Sequence, residues 1–296
     1  MPKAWNYCLS VAGLVIQLET DRELEMQEPF LPFVSESLRS DFEATFCQVD
    51  QLPAIPEKVL HEDVCYRAHS CENGKVFRSF FDAPRERAPY AVADCDYSGG
   101  SIRIDYVESG AHCLSQMQNA FFHLGFEELL LYRGRLCFHA ACVQTDLGGI
   151  LFSGPSGVGK STQAQMWCKH RGAEQINGDR PILSKEAGSW LAWGSPYAGS
   201  SRCYVNASCP VNAIVMLRQA ESCSLRRLNP KEAFRAVWSG LTVPSWDPTA
   251  METACDLALE LGSSIPVYEF GCTPDLQAVE FLEQGLRKEG ICDGTE

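Results

Sequence analysis

The stretch of sequence that decides the fold is Gly154-Pro155-Ser156-Gly157-Val158-Gly159-Lys160-Ser161-Thr162. It meets the pattern G-x-x-x-x-G-K-[ST], which marks a loop between a buried strand and a helix. The apolar run Ile150-Leu151-Phe152 precedes the loop, and a helix-compatible segment, residues 161–171, follows it. This context predicts a phosphate-binding loop.

The residue types of the loop are those that phosphate binding requires. Glycines let backbone N–H groups converge on phosphate oxygens, and the start of the following helix adds partial positive charge. Lys160 is expected to reach the outer phosphates, and the Ser161 hydroxyl is expected to ligate Mg²⁺. The pattern therefore predicts ATP and Mg²⁺ as cofactors, with nucleotide contacts from every residue between Gly154 and Thr162. It does not identify the phosphoryl acceptor.

The chain after residue 135 has the texture of an α/β domain, because strand-like and helix-like segments alternate there. Strands are predicted at residues 136–144, 149–153, 175–183, 213–217 and 266–270, and helices at 161–171, 230–241, 249–261 and 274–288.

The part before residue 135 is predicted to be β-rich. The apolar run from Leu9 to Leu18 reads as a strand, and residues 102–107 alternate with period two. Residues 115–133 carry helical spacing and are expected to join the two halves. The 296 residues are enough for about two domains. We predict a smaller β-rich (α+β) domain over residues 1–134 and an α/β phosphate-loop domain over 135–296.

The composition of the chain argues against two classes of binding partner. A formal net charge of −13 argues against nucleic acid or an anionic membrane surface, since both favour a basic protein surface. The 15 cysteines are scattered singly, without C-x-x-C pairs, and no export signal frames the early apolar run. We expect reduced cysteines and a cytoplasmic protein.

Three further residues are candidates for the site, each with an ordinary alternative. His139 is the polar residue of an apolar run and is either an active-site group or a core or edge histidine. Asp179 follows Gly178 where a strand should break, and it either serves Mg²⁺ and catalysis or is a plain turn aspartate. Arg202 stands at the end of a loop rich in small residues. It either binds phosphate or lies in a plain surface turn.

Four segments carry a resemblance to a known family. They are His139 to Thr162, Asn177-Gly178-Asp179, Gly194-Ser195-Pro196 and Ala213 to Leu217. Together they resemble the kinase domain of the HPr kinase/phosphorylase family, over roughly residues 135–285. The resemblance implies a phosphoenolpyruvate carboxykinase-type phosphate-loop fold. It also implies that His139 sits at the active centre and that Asp179 lies where the paired aspartates of the family provide the base and the metal contact, beside the loop residue Lys160.

The chain departs from that family at two places. The family carries two adjacent aspartates where this chain has Gly178-Asp179, so either Asp179 does both jobs or turnover is weakened. The arginine-containing signature of bacterial HPr kinases is missing from residues 261–270, so HPr is not the expected substrate. The chain is more similar in its sequence pattern to divergent relatives that are found beside biosynthetic genes for ribosomally made, modified peptides.

The leading hypothesis is an ATP-dependent kinase that phosphorylates a serine in a peptide or small protein. A kinase for a small molecule such as free serine is the second hypothesis, and a nucleotide-gated binding module without turnover is the third. The N-terminal half is expected to hold the peptide together with residues 195–202, or else to serve homo-oligomerisation or assembly.

Overall fold

The computed structural model describes residues 4–72, 75–82 and 88–291. Contacts divide the chain into two compact units: residues up to Arg133 with 243–252, and residues 134–242 with those from Thr253 on. Each unit holds a β-sheet and helices, so the predicted mixed α/β architecture is confirmed. Among the described residues, no helix combines the length and the apolar character needed to cross a bilayer.

The first unit is built on a sheet with the strand order β1-β2-β3-β8-β7-β6-β5-β4. Neighbouring strands are antiparallel, except that β3 runs parallel to both β2 and β8. The strands are β1 (Trp5–Val11), β2 (Leu14–Thr20), β3 (Phe42–Gln48), β4 (His61–Glu62), β5 (Tyr66–Glu72), β6 (Lys75–Phe80), β7 (Ala91–Asp96) and β8 (Ser101–Tyr106). The helices are the 3-10 helices Glu28–Phe33 and Glu108–Leu114 and the α-helices α1 (Met117–Leu124) and α2 (Phe126–Leu131).

Two elements of this unit differ from the sequence-based predictions. The strand predicted from Leu9 to Leu18 is a hairpin, because the chain turns at Ala12-Gly13 with φ values of +52° and +75°. The helix predicted over 115–133 is two helices that meet at Gly125. A Cβ atom at Gly125 would overlap the buried guanidinium of Arg78, so this close approach requires glycine.

The second unit is built on a sheet of strands β9 to β17. These are β9 (Arg135–Cys137), β10 (Ala140–Thr145), β11 (Gly148–Ser153), β12 (Glu174–Asn177), β13 (Ile182–Glu186), β14 (Ser189–Trp193), β15 (Ser208–Gln219), β16 (Ser224–Arg227) and β17 (Val267–Cys272). The helices are α3 (Lys160–Arg171), α4 (Pro230–Ser239) and α6 (Leu276–Lys288), with a 3-10 helix at Gly199–Ser201. Helix α5 (Pro248–Ser264) begins in the first unit and continues in the second from Thr253 on.

The topology of this sheet directs three strand ends to one edge. Strand β15 runs parallel to β11 on one side and to β17 on the other. The carboxyl ends of β11, β15 and β17 therefore meet at the same edge, which is where ligands bind in open α/β sheets. Trp167 of α3 and Leu282 of α6 are fully buried in the core that packs against these strands, together with Phe152 and Phe270.

Two predicted strands of this unit are interrupted. The strand predicted over 136–144 is β9 and β10, because β9 pairs with β13 whereas β10 pairs with β11 and β12. His139 lies in the break between them. The strand predicted over 175–183 ends at Asn177 and resumes at Ile182, so Asp179 also lies outside regular structure. Both breaks separate segments that pair with different partners, which periodicity cannot reveal.

Candidate functional site

The predicted phosphate loop connects β11 to α3. Gly154, Gly157 and Gly159 have φ values of +139°, +77° and +113°. A Cβ atom at Gly157 or Gly159 would meet nothing within 4 Å, so the backbone angle, and not lack of space, requires glycine at these two positions. No side chain caps the first turn of α3. Its backbone N–H groups are therefore directed at the loop, as an anion site requires.

Lys160 is turned into this loop. The residue is 7% exposed, and its Nζ donates hydrogen bonds to the carbonyl oxygens of Gly154 at 3.0 Å and Pro155 at 3.3 Å. Burial lowers the pKa of Lys160, and the Asp179 carboxylate acts in the opposite direction. The ammonium group is thus held inside the curve of the loop. A phosphate placed there would take over the acceptor role of the two carbonyl groups.

Ser161 and Thr162 begin α3 immediately after the lysine. Ser161 is half-buried and Thr162 is exposed. Within the described residues, the Ser161 hydroxyl has no hydrogen-bond partner. A serine hydroxyl and an aspartate carboxylate are oxygen ligands of the kind that Mg²⁺ prefers, so Ser161 and Asp179 are chemically suited to the ion.

A cavity of about 350 Å³ adjoins the loop at the carboxyl edge of the sheet. Its walls come from the loop, from α3 and from the carboxyl ends of β15 and β17 with the residues that follow them. Among the wall residues are Gly157, Thr162, Gln163, Gln219 and Cys272. The side-chain Nε2 of Gln163 donates to Cys272 Sγ at 3.3 Å. The buried Gln163 Oε1 has no partner in the described structure. Gln163 thus contributes to the wall of the cavity, while its Oε1 atom is buried behind that wall.

His139 is held by its backbone. Its N–H donates to the carbonyl oxygen of Gly240 at 2.7 Å, and its own carbonyl oxygen accepts a hydrogen bond from Ser153 Oγ at 2.8 Å. The side chain is 38% exposed. Because Ser153 is the last residue of β11, this contact ties His139 directly to the strand that leads into the loop.

His139, Asp179 and Lys160 come together. His139 Nε2 lies 3.5 Å from Asp179 Oδ1. Burial and the neighbouring Lys160 charge lower the pKa of His139, against the effect of the Asp179 carboxylate. The shift favours the neutral imidazole in its contact with Asp179. The three residues predicted as catalytic share one site.

Asn177 fixes the position of Asp179, and the sequence reasoning did not assign it this role. Asn177 is fully buried, and its Oδ1 accepts hydrogen bonds from the backbone N–H groups of Asp179 at 2.9 Å and Arg180 at 2.7 Å. Its Nδ2 donates to the carbonyl oxygen and Oγ of Ser195. Ser195 Oγ in turn donates to the Arg180 carbonyl oxygen at 2.7 Å. The signal in the sequence was an Asn two residues before an Asp, which forms an Asx turn.

The segment Gly199–Ser201 packs against Asp179. A Cβ atom on Gly199 would lie 2.9 Å from the Cβ of Asp179, so the Gly199 backbone is packed closely against the Asp179 side chain. This contact limits the positions that the carboxylate can take.

Arg202 and Arg180 differ in their surroundings. Arg202 is exposed, has a φ of +53°, and makes no hydrogen bond or ion pair with any described residue. Arg180 Nε, in contrast, lies 3.8 Å from Asp179 Oδ2. In this conformation Arg180 is therefore the arginine next to the carboxylate, and the predicted phosphate contact of Arg202 stays a prediction.

Comparison with known proteins adds little to this geometry. No protein-family model matches the chain, and no curated protein matches it. Among solved structures, the Hpr(Ser) kinase/phosphatase from Coxiella burnetii is similar over 52% of this chain and 93% of its own, with a TM-score of 0.32 and 16% sequence identity. A likeness at this level has no weight for function, so the side-chain geometry of the site has to support any assignment.

Proposed function

We propose that the chain is an ATP-dependent kinase that transfers the γ-phosphoryl group to a hydroxyl, and that its second unit is a phosphoenolpyruvate carboxykinase-type phosphate-loop domain. The observation that carries the proposal is the position of Lys160. Its ammonium lies inside a glycine loop at the start of α3, and its charge acts on the His139 and Asp179 side chains. Phosphate-binding and proton-accepting groups therefore share one site.

The nucleotide is held by the loop in this proposal. Backbone N–H groups of residues 154–162 contact the phosphates, Lys160 binds the outer phosphates as a point charge, and the base or ribose uses the cavity beside Gln163. Mg²⁺ is held by the Ser161 hydroxyl and the Asp179 carboxylate. When bound, the ion neutralises charge on the phosphate oxygens.

Phosphoryl transfer then needs one proton acceptor. A bond forms between the acceptor oxygen and the γ-phosphorus, the bond from that phosphorus to ADP breaks, and the hydroxyl proton passes to Asp179. In this proposal His139 donates a hydrogen bond that orients the acceptor or the phosphate. Asn177 keeps the Asp179 backbone in place through its two hydrogen bonds. Positioning and electrostatics supply most of the rate in such reactions.

The proposed acceptor is a serine in a peptide that is neutral or basic near the serine. The support for a peptide is a cavity of about 460 Å³ in the first unit, lined by residues of β1, β2 and β3. Glu19 and Glu43 both line it and are exposed, and Gln17 and Thr45 stand opposite them in register. Acidic walls favour a basic partner, and an extended peptide fits along a sheet. Free serine is the alternative acceptor.

A nucleotide-gated binding module is the second candidate function. The observation that favours it is Gly178, which stands where the resembling family carries a second aspartate. Such a module would retain the nucleotide site and lack turnover.

The test is a transfer assay with purified full-length protein, Mg²⁺ and ATP labelled at the γ-phosphate, offered a serine-containing peptide library and, separately, free serine. The kinase proposal predicts label on an acceptor. Stoichiometric nucleotide binding with no labelled acceptor under any condition would establish the binding module instead. Label on free serine and on no peptide would assign the small-molecule alternative.

A further inference from the structure

A cluster of three potential metal ligands lies in the first unit. Asp82 follows the end of β6, and His112 and Cys113 belong to the 3-10 helix Glu108–Leu114. His112 Nε2 lies 3.1 Å from Asp82 Oδ2, Cys113 Sγ lies 3.3 Å from Asp82 Oδ1, and Cys113 Sγ lies 3.4 Å from His112 Nε2. The three atoms form a closed triangle.

Hydrogen bonds hold this cluster together without an ion. The imidazole and the thiol can each donate to Asp82, and the Tyr90 hydroxyl is also hydrogen-bonded to the Cys113 side chain. The three potential ligand atoms are nevertheless close enough together for one ion to bond to all of them.

The distances between the three ligand atoms are close to those around a bound metal ion. Zinc binds sulfur at about 2.3 Å and nitrogen or carboxylate oxygen at about 2.0–2.2 Å in a tetrahedron, which places neighbouring ligand atoms about 3.3–3.6 Å apart. The observed 3.1–3.4 Å is within a few tenths of an ångström of this range. Small side-chain adjustments would complete the site.

The donor set selects the metal. A thiolate and an imidazole favour Zn²⁺ over Mg²⁺ or Ca²⁺, which prefer oxygen. Two deprotonated ligands, Asp82 and Cys113, balance the charge of one divalent ion. The side chains of His112 and Asp82 are 64% and 46% exposed, which leaves the fourth position open to solvent.

We propose that Asp82, His112 and Cys113 bind one Zn²⁺, with water as the fourth ligand. Binding replaces the thiol proton of Cys113, which passes to solvent, by a bond from sulfur to zinc. The ion joins the segment after β6 to the 3-10 helix after β8, which are about 30 residues apart in sequence. It therefore clips two connections of the same sheet together. This site is independent of the proposed kinase chemistry.

The test is titration of metal-free full-length protein with Co²⁺ and then Zn²⁺, without nucleotide. The proposal predicts one high-affinity ion per chain, a cobalt–thiolate charge-transfer band that Zn²⁺ abolishes, and a rise in melting temperature on adding Zn²⁺. Cys113→Ser should remove the band, and His112→Gln and Asp82→Asn should each weaken binding at least about tenfold.

Cys47→Ser is the matched control, because Cys47 is a partly exposed free thiol on β3 of the same unit, surrounded by other charged residues than those of the cluster. It should bind both metals as the wild type does. Absence of a thiolate band in the wild type, or an unchanged band in Cys113→Ser, would overturn the proposal. Cys113→Ser is nearly isosteric, and equal melting temperatures of both metal-free proteins will show that the variant folds.

Discussion

The backbone of Gly178 lies directly against the side chain of Ser201. A Cβ atom added to Gly178 would overlap both Cβ and Oγ of Ser201 and would lie 2.9 Å from Gln175 Nε2. A second aspartate at position 178 therefore does not fit this conformation of the Gly199–Ser201 segment. Glycine at position 178 is therefore required by the packing of Ser201, and Asp179 is the carboxylate that follows it.

Gly178→Ala should destabilise the protein by about 1–3 kcal/mol, because the new methyl group must displace the Ser201 side chain. Ser201→Gly in the same chain should recover most of this loss, since it removes the atoms that clash. Chemical unfolding of both single variants and the double variant measures the coupling. Gly262→Ala is the control, because its Cβ would have no contact shorter than 3.4 Å. Additive effects of Gly178→Ala and Ser201→Gly would show that the two residues are not in conflict.

Asp179→Asn should retain nucleotide binding and lose phosphoryl transfer by about 10²- to 10⁴-fold, because an amide cannot accept the hydroxyl proton. Single-turnover transfer to the peptide acceptor, with nucleotide affinity measured in parallel, separates the two effects. Asp256→Asn, an exposed aspartate of α5, is the matched control. Transfer at the wild-type rate in Asp179→Asn would move the base to another residue, with His139 the next candidate.

The sequence was sufficient where the determinants are local. The glycine loop and its helix follow from residue types within one short stretch, and α3 begins at Lys160 as the pattern requires. Prediction from the sequence failed where an element depends on contacts with segments that are distant in sequence. The break at His139 depends on which strands β9 and β10 join, and the break at Gly125 depends on the buried Arg78. The position of Arg180 beside Asp179 could not be predicted, because it depends on the geometry of the turn that Asn177 stabilises.

Acid should destabilise the first unit through His123. Burial lowers the pKa of His123 to about 4, with its Nδ1 and Nε2 hydrogen-bonded to the Asn119 carbonyl oxygen and the Tyr90 hydroxyl. In the unfolded chain the His123 imidazole takes up a proton near pH 6.5, whereas in the folded chain it takes up this proton only near pH 4. The free energy of unfolding therefore falls as the pH drops through this window, by about 3 kcal/mol in full.

His123→Asn should be less stable at pH 7 but should lose less stability between pH 7 and pH 4.5 than the wild type. Urea unfolding at both pH values measures the difference, with His170→Asn as the control in the other unit. If the wild type and His123→Asn respond equally to acid, His123 is not the group responsible.

The acidic groove of the first unit should favour basic peptides. Replacing Glu19 and Glu43 together by Gln should raise KM about two- to fivefold for peptides with Lys or Arg near the serine, with little effect on kcat, because each exposed charge contributes below about 1 kcal/mol. Glu57→Gln, at another exposed glutamate of this unit, is the control. An unchanged preference for basic peptides would remove the groove from acceptor recognition.

The central claim is that the 154–162 loop binds nucleotide phosphates through Lys160, and calorimetric titration with Mg-ATP tests it most directly. Lys160→Ala should lower the affinity about 10- to 100-fold, because it removes charge-assisted hydrogen bonds to the phosphates. Lys169→Ala, an exposed lysine of the same helix, should bind as the wild type does. Equal Mg-ATP affinity of the wild type and Lys160→Ala, or no binding by the wild type, would contradict the account.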